Sequence, residues 1–148
     1  MADDKTLSYE ITLKVRDSCL CLHVRRAARA VARHFDEALR PVDLTNGQFS
    51  LMMSLNRPQP PAMGDVASLL ALDRTTLTAN LKPLERRGLI GVSVDTDDRR
   101  SRRLALTPEG RKLLAQAVPL WERAEAEVES LVPSGDSDRL RADLHALS

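Results

Sequence analysis

Threonine, arginine, asparagine and lysine side chains share the outward side of one predicted helix. Leu77, Leu81 and Leu84 recur at helical spacing, which predicts a helix over residues 74–87 with these leucines turned inward. The polar side chains left outside are Arg74, Thr75, Thr76, Thr78, Asn80 and Lys82. Arginine and asparagine can bond guanine and adenine edges, threonine can bond phosphate or touch a thymine methyl group, and lysine suits phosphate. Threonine is a mediocre helix former, so helix stability does not explain its frequency. An ordinary exposed helix face is the alternative.

A second group of arginines follows this helix at a predicted turn. Alternating apolar residues at 90–94 and 104–106 predict a β-hairpin with a polar turn over residues 95–101. Its candidate contact residues are Asp98, Arg99, Arg100 and Arg102. A guanidinium on a projecting tip can enter a narrow minor groove, and a neighbouring acidic residue can fix its direction. Alone, this turn would be interpreted as a salt-bridged surface loop. Its position after the threonine-rich helix favours a contact with nucleic acid.

The elements around these two groups predict an α-rich winged helix-turn-helix. Residues 1–16 are expected to form an arm or the frayed start of a helix, followed by a helix over residues 17–39. Thr45 and Gln48 form a capping-box pattern that starts a second helix. A short helix over 63–70 would brace the 74–87 helix in the major groove. The remaining predicted helices begin at Pro108, with a kink at Pro119, and after Gly135.

Composition narrows the possible functions. The chain has 148 residues, 43% hydrophobic residues and a net charge of +1, as expected for one globular domain without a membrane span. The N-terminal segment Met1–Lys5 lacks the pattern of a secretory signal, so we expect a cytoplasmic protein. The 6 glycines form no nucleotide-binding loop, and the 3 histidines and Cys19-Leu20-Cys21 show no zinc spacing. We therefore expect no catalytic residues, no metal and no cofactor.

Residues 72–110 carry the sequence LDRTTLTANLKPLERRGLIGVSVDTDDRRSRRLALTPEG, which closely resembles the MarR family of transcriptional regulators. The resemblance implies one MarR-type domain over residues 1–148, with a DNA-binding lobe at 44–107 and dimerisation helices at 1–43 and 108–148. It also implies that Arg100 is the wing arginine that reaches the minor groove and that Asp98 orients it. The implied function is a homodimeric regulator, by default a repressor, on a pseudo-palindromic promoter site.

The signal that such a regulator would sense is left open by the sequence. A small aromatic or phenolic ligand is one possibility, and an oxidant is another. Candidate ligand or redox residues are Cys21, His34, Phe35, Phe49 and Met52. Their helical spacing is also that of a plain core. Cys21 falls where the peroxide-sensing branch of the family has its reactive cysteine, but two tyrosines of that branch are replaced by Phe35 and Asn46, so we expect a buried, inert cysteine. A further alternative is a dimeric helical module that binds proteins rather than DNA.

Overall fold

The computed structural model describes residues 7–148, so the first six residues of the predicted N-terminal arm lie outside it. The elements, in chain order, are α1 (Tyr9–Ser18), α2 (Leu20–Leu39), a 3₁₀ turn (Arg40–Val42), α3 (Asn46–Ser54), α4 (Met63–Leu69), α5 (Arg74–Arg86), β1 (Ile90–Val94), β2 (Arg102–Leu106), α6 (Pro108–Ser130) and α7 (Ser137–His145). This is the expected mainly helical architecture with a hairpin wing. The chain divides into two compact units, residues 1–34 and 35–148.

The N-terminal unit contains a helix that the sequence pattern did not separate. We expected an arm or frayed start before residue 17, whereas α1 is a helix of 10 residues. Cys19, in an extended conformation (φ −75°, ψ 105°), interrupts the helical path between α1 and α2. The apolar residues of α1, Tyr9, Ile11, Leu13 and Val15, recur at every second position and not at helical spacing. That is why the separate helix was missed.

The second unit is organised around a leucine-rich core. Leu39, Leu77, Leu84 and Leu104 are completely buried, and they come from α2, α5 and β2. Met52 of α3 is also completely buried among them. The inward positions predicted for α5 are therefore core positions, and burying each leucine contributes about 1.5–3 kcal/mol of favourable transfer free energy.

Local signals start and end the elements as the sequence predicts. Thr45 and Gln48 form the complete capping box of α3. Asp73 accepts the Thr76 backbone N–H at the start of α5. Gly88 has a φ of +70°, the left-handed conformation that ends a helix and that glycine adopts without strain. Asp73 and Gly88 thus fix the two ends of α5, the helix that carries the first group of candidate residues.

A short segment before α4 pairs with the outer edge of the hairpin. β1 and β2 are antiparallel, with Val92 opposite Leu104. On the other edge of β2, Ala62 forms an isolated antiparallel bridge with Arg103, and the Leu104 N–H donates to the Pro61 carbonyl at 3.0 Å. The loop before α4 thus covers the edge of the wing, which protects an otherwise unpaired strand.

The C-terminal helices complete the described chain. Thr107 caps α6, which runs without interruption through Pro119. The predicted kink at Pro119 stays a prediction. Asp136 caps α7, whose residues are all at least partly exposed. Within residues 7–148, no helix is both long enough and apolar enough to cross a membrane.

Candidate nucleic-acid interface

The outward face of α5 is presented by a helix that is fixed at both ends and along its inner side. Leu77 and Leu81 are at most 2% exposed and hold the helix against the core. Asp73 caps its first turn. At its C-terminal end, Arg87 donates from Nη1 to the Asp43 carbonyl at 2.6 Å, which ties the helix to the turn before α3. A rigidly held helix can present side chains without a large entropic penalty on binding.

The predicted polar positions of α5 lie on its accessible side. Asn80 is half-buried, and the others are exposed: Arg74, Thr75, Thr76, Thr78 and Lys82. Their arrangement on one helix face is the geometry that the sequence predicted.

Two threonine hydroxyl groups of α5 already donate their hydrogens to acceptors of the same helix or its cap. Thr76 Oγ1 donates to Asp73 Oδ2 at 2.9 Å, and Thr78 Oγ1 donates to the Arg74 carbonyl at 2.8 Å. The backbone N–H and hydroxyl of Thr76 hold the pKa of Asp73 below its ordinary value. These threonines therefore offer methyl groups and oxygen acceptors outward, which suit a thymine methyl or a cytosine amino group better than a phosphate.

The wing tip shows a different arrangement from the one implied by the resemblance. Asp98 Oδ1 accepts the backbone N–H of Arg100 at 3.0 Å and has no described bond to its guanidinium. Such a side-chain turn shapes the backbone of the tip rather than the arginine side chain. Arg99 and Arg100 are exposed. Arg102 Nη1 donates to the carbonyls of Arg99 (3.2 Å) and Ser101 (3.4 Å).

Two wing residues that sequence reasoning did not select are Asp95 and Arg103. Arg103 Nε lies 2.8 Å and Nη2 2.7 Å from Asp95 Oδ2, and the Asp95 side chain is only 10% exposed. The Asp97 backbone N–H, followed by Arg103, lowers the pKa of Asp95 from its ordinary value. An acidic residue after β1 and an arginine on β2 are a sequence signal for such a pair. Arg103 Nη1 also donates to the Pro60 carbonyl at 3.2 Å, a contact for which the sequence holds no local signal.

The end of α5, the wing and the start of α6 meet at one close contact. Thr107 donates its backbone N–H to the Leu89 carbonyl at 3.1 Å and its hydroxyl to the Gly88 carbonyl at 2.6 Å. Gly110 packs so closely that a Cβ there would lie 2.0 Å from the Leu89 carbonyl oxygen. Only glycine permits this approach. The base of the wing is therefore joined directly to α6.

A cavity of about 190 Å³ lies in the second unit. Its lining residues are Phe35, Leu39, Asn46, Phe49, Ser50, Trp121 and Glu125. Phe49 and Trp121 stack with ring centroids 6.1 Å apart. Phe35 and Phe49, two of the predicted ligand candidates, line this cavity, whereas Met52 belongs to the core.

The remaining ligand or redox candidates lie in the N-terminal unit. Cys21 is the second residue of α2 and is exposed, and His34 is half-buried. The expectation of a buried Cys21 is wrong for the single chain, because α2 turns that position outward. Among residues 7–148, no group of three or more histidine, cysteine or acidic residues is placed to hold a metal ion.

Several known proteins resemble this chain in sequence and in fold. The MarR family model matches residues 44–101. MosR, a transcriptional regulator of M. tuberculosis solved in complex with DNA, is 41% identical; the match covers 88% of this chain and 93% of MosR, with a TM-score of 0.80. CouR, a transcriptional repressor solved with a 23-mer DNA duplex, is 30% identical, with 96% and 98% coverage and a TM-score of 0.81.

One further relative is longer than this chain. TtmR, an HTH-type transcriptional regulator of Methylorubrum extorquens, is 35% identical over 97 residues, which are 66% of this chain and 50% of TtmR. The match therefore spans half the length of TtmR. These relatives are transcriptional regulators rather than enzymes.

Proposed function

The chain belongs to the MarR family of winged helix-turn-helix transcriptional regulators, and from this premise we propose that it binds a promoter site as a homodimer and represses transcription. The observation that carries the proposal is the α5 face. Its threonines, Arg74 and Asn80 lie on a helix anchored by buried leucines, and the arginine-bearing wing follows directly. The DNA complexes of MosR and CouR support DNA as the ligand, and the description of CouR as a repressor supports repression. Such a protein acts in the cytoplasm.

The two groups of residues have different roles in this proposal. Arg74, Thr75 and Asn80 contact base edges in the major groove, together with Thr76 and Thr78. Lys82 contacts phosphate. Arg100 enters the adjacent minor groove, and Arg99 and Arg102 contact the backbone beside it. Asp98 contributes by shaping the tip from which Arg100 projects.

The homodimer is supported by apolar side chains that the single chain leaves exposed. In α1 and α2, Tyr9 is 72% exposed and Leu20 is 71% exposed. In α7, Leu140 and Leu144 are 43% and 45% exposed. Exposed apolar faces on terminal helices are typical of association surfaces. A two-fold dimer presents two copies of α5, so its site is a pseudo-palindrome with half-sites about 10–10.5 base pairs apart.

The lined cavity supports regulation by a small aromatic or phenolic ligand. Its volume of about 190 Å³ and the stacked Phe49 and Trp121 suit one planar ring. A cavity of roughly 150 Å³ can hold a benzene-sized molecule, and Asn46, Ser50 and Glu125 add polar groups to the lining of this one. The ligand regulates binding only if it prefers one spacing of the two recognition helices over the other.

The exposed thiol of Cys21 supports a second candidate signal, an oxidant. Cys21 is a free, exposed cysteine, so its sulfur is accessible to peroxide. Treatment with peroxide should then weaken DNA binding by the native protein and leave the Cys21→Ser variant unaffected. Equal responses of the two proteins would remove Cys21 from the mechanism.

Fluorescence anisotropy tests the proposed function. The protein is titrated onto the intergenic duplex beside its own gene and onto a scrambled duplex, each at two salt concentrations. We expect tighter, salt-dependent binding to the native duplex. Arg74→Ala should weaken it roughly 5- to 150-fold, the effect of about 1–3 kcal/mol for a base contact.

The matched control for Arg74→Ala is Arg139→Ala on α7. It removes the same charge from a residue that bonds Asp143 on its own helix, so it should change the affinity much less. Equal, weak binding to every duplex tested would favour the protein-interaction module instead. Equal losses for the two arginine variants would mean that the α5 face reads no bases.

A further inference from the structure

Asp95 and Arg103 connect the body of the protein to the tip of the wing. Arg103 uses Nε and Nη2 on the Asp95 carboxylate, and its third nitrogen, Nη1, donates to the Pro60 carbonyl. Its backbone also lies between two neighbours, with Ser93 opposite on β1 and Ala62 bridged on the other side. One side chain therefore joins β2, the end of β1 and the loop before α4. We call this arrangement the wing clamp.

The Asp95 carboxylate extends the wing clamp into the tip. Its other oxygen, Oδ1, accepts the Asp97 backbone N–H at 3.0 Å. The Asp95 N–H donates to the Ser101 carbonyl at 3.1 Å, and the Ser101 N–H donates to the Asp98 carbonyl at 2.9 Å. Asp98 in turn holds the backbone of Arg100. A continuous set of hydrogen bonds thus runs from Pro60 to the residue that projects from the tip.

The hairpin alone would not hold this position. Two-stranded hairpins are marginally stable in water, and the wing sheet has two strands of five residues each. Bonds between an arginine fork and a largely buried carboxylate are strong and directional. Leu104 in the core and its N–H bond to Pro61 hold the base of the hairpin, and the wing clamp is the side-chain connection that reaches from this base toward the tip.

We propose that Asp95 and Arg103 are positioning residues for DNA binding: their ion pair and its bond to Pro60 hold the wing at the distance and angle from α5 at which Arg100 enters the minor groove while α5 lies in the major groove. Neither residue needs to touch DNA. This inference rests on the proposed function and adds to it the residues that couple its two contact groups.

The direction in which a substitution changes the affinity for DNA distinguishes this positioning role from a general electrostatic effect. Asp95→Asn and Asp97→Asn each remove one negative charge from the wing, which by charge alone leaves DNA binding equal or tighter. Asp97 is exposed, and no side-chain hydrogen bond or ion pair of Asp97 is found in the described residues, so it is the matched control. We expect Asp97→Asn to bind the operator as tightly as the native protein or more tightly. We expect Asp95→Asn to bind the operator about tenfold more weakly, because the charge-assisted hydrogen bonds between Arg103 and the Asp95 carboxylate are lost.

A shortened operator separates wing placement from damage to the fold. The full duplex includes the flanking minor grooves, and the short duplex keeps only the two major-groove half-sites. Asp95→Asn should lose its tenfold deficit, relative to Asp97→Asn, on the short duplex. Arg103→Lys keeps the charge but not the fork, and it should show the same dependence on the flanks. This second variant preserves the test if Asp95→Asn fails to fold.

Amide hydrogen exchange of the DNA-free protein tests the wing clamp without DNA. The N–H groups of Asp95, Ser101 and Leu104 should exchange faster in Asp95→Asn than in Asp97→Asn. Equal exchange in the two variants would overturn the wing clamp, as would equal affinity on the full duplex or equal losses on both duplexes. A native protein without preference for its operator would refute the proposed function instead, and the exchange rates would then decide the wing clamp alone.

Discussion

Replacing Gly110 by alanine should destabilise the joint between the wing and α6. A Cβ at this position would lie 2.0 Å from the Leu89 carbonyl oxygen and 2.9 Å from its carbonyl carbon. Both are backbone atoms, so no side-chain rotation relieves the contact. The separation must grow by about 1 Å before the carbon and oxygen atoms reach an acceptable distance.

The magnitude follows from the bonds that this displacement stretches. Thr107 holds the same backbone through its N–H to Leu89 (3.1 Å) and its hydroxyl to Gly88 (2.6 Å). Each bond contributes about 1 kcal/mol, and overpacking adds roughly 1–3 kcal/mol. The better helix propensity of alanine returns about 1 kcal/mol. The free energy of unfolding should therefore fall by about 3 kcal/mol, a large part of the roughly 5–15 kcal/mol of a typical domain.

Urea unfolding followed by circular dichroism, at one fixed protein concentration, measures this change. Gly64→Ala in α4 is the control, because a Cβ there meets nothing within 4 Å. That variant should be as stable as the native protein or about 0.5–1 kcal/mol more stable. In a thermal scan, Gly110→Ala should unfold roughly 6–12 °C below the native protein. A Gly110→Ala protein within about 0.5 kcal/mol of the native one would refute the reasoning from close contact.

Three further predictions concern a helix cap, a titrating carboxylate and a DNA contact. Thr107→Ala removes the acceptor of the Gly110 N–H and should lower the free energy of unfolding by about 1–2 kcal/mol in the same urea assay. An unchanged free energy of unfolding would mean that this cap does not stabilise the protein. Asp95 has a lowered pKa, so its ion pair stabilises the wing fully above the ordinary aspartate pKa of about 4 and is lost as the pH falls further. The protection factors of the wing amides, which are the ratios of the intrinsic to the observed exchange rate at each pH, should fall there in the native protein and not in Asp95→Asn. Arg100→Ala should weaken operator binding and make the dependence of log K on log salt less steep by about one unit, because one cation is removed from the DNA surface; unchanged affinity and slope would remove the wing from the mechanism.

Much of the DNA-binding lobe could be predicted because its signals are local. The spacing of Leu77, Leu81 and Leu84 predicts the inner side of α5, and all three leucines are buried. The Thr45 capping box and the positive φ of Gly88 follow from the chemistry of single residues. Amphipathic periodicity and caps report on neighbours within a few positions. The accessibility of the candidate residues of α5 follows from the same leucine spacing, whereas their contacts with DNA stay a prediction.

The contacts that the sequence did not yield join distant segments. Pro60 and Arg103 are 43 positions apart, and no periodic pattern connects them. The role of Asp98 was assigned from a motif, which names a residue type but does not say whether its carboxylate bonds a side chain or a backbone N–H. The separation of α1 from α2 depends on the conformation of Cys19 alone. Each of these features requires the tertiary structure.

Selection of binding sites from a pool of random DNA duplexes tests the central claim most directly, because the protein itself picks out the operator sequence. We expect enrichment of one sequence with two inverted half-sites about 10–10.5 base pairs apart, and loss of that enrichment for Arg74→Ala. Enrichment of an inverted repeat by the native protein would support both the homodimer and base reading by α5. Recovery of no common sequence, or of the same sequence by the Arg74→Ala variant, would contradict it.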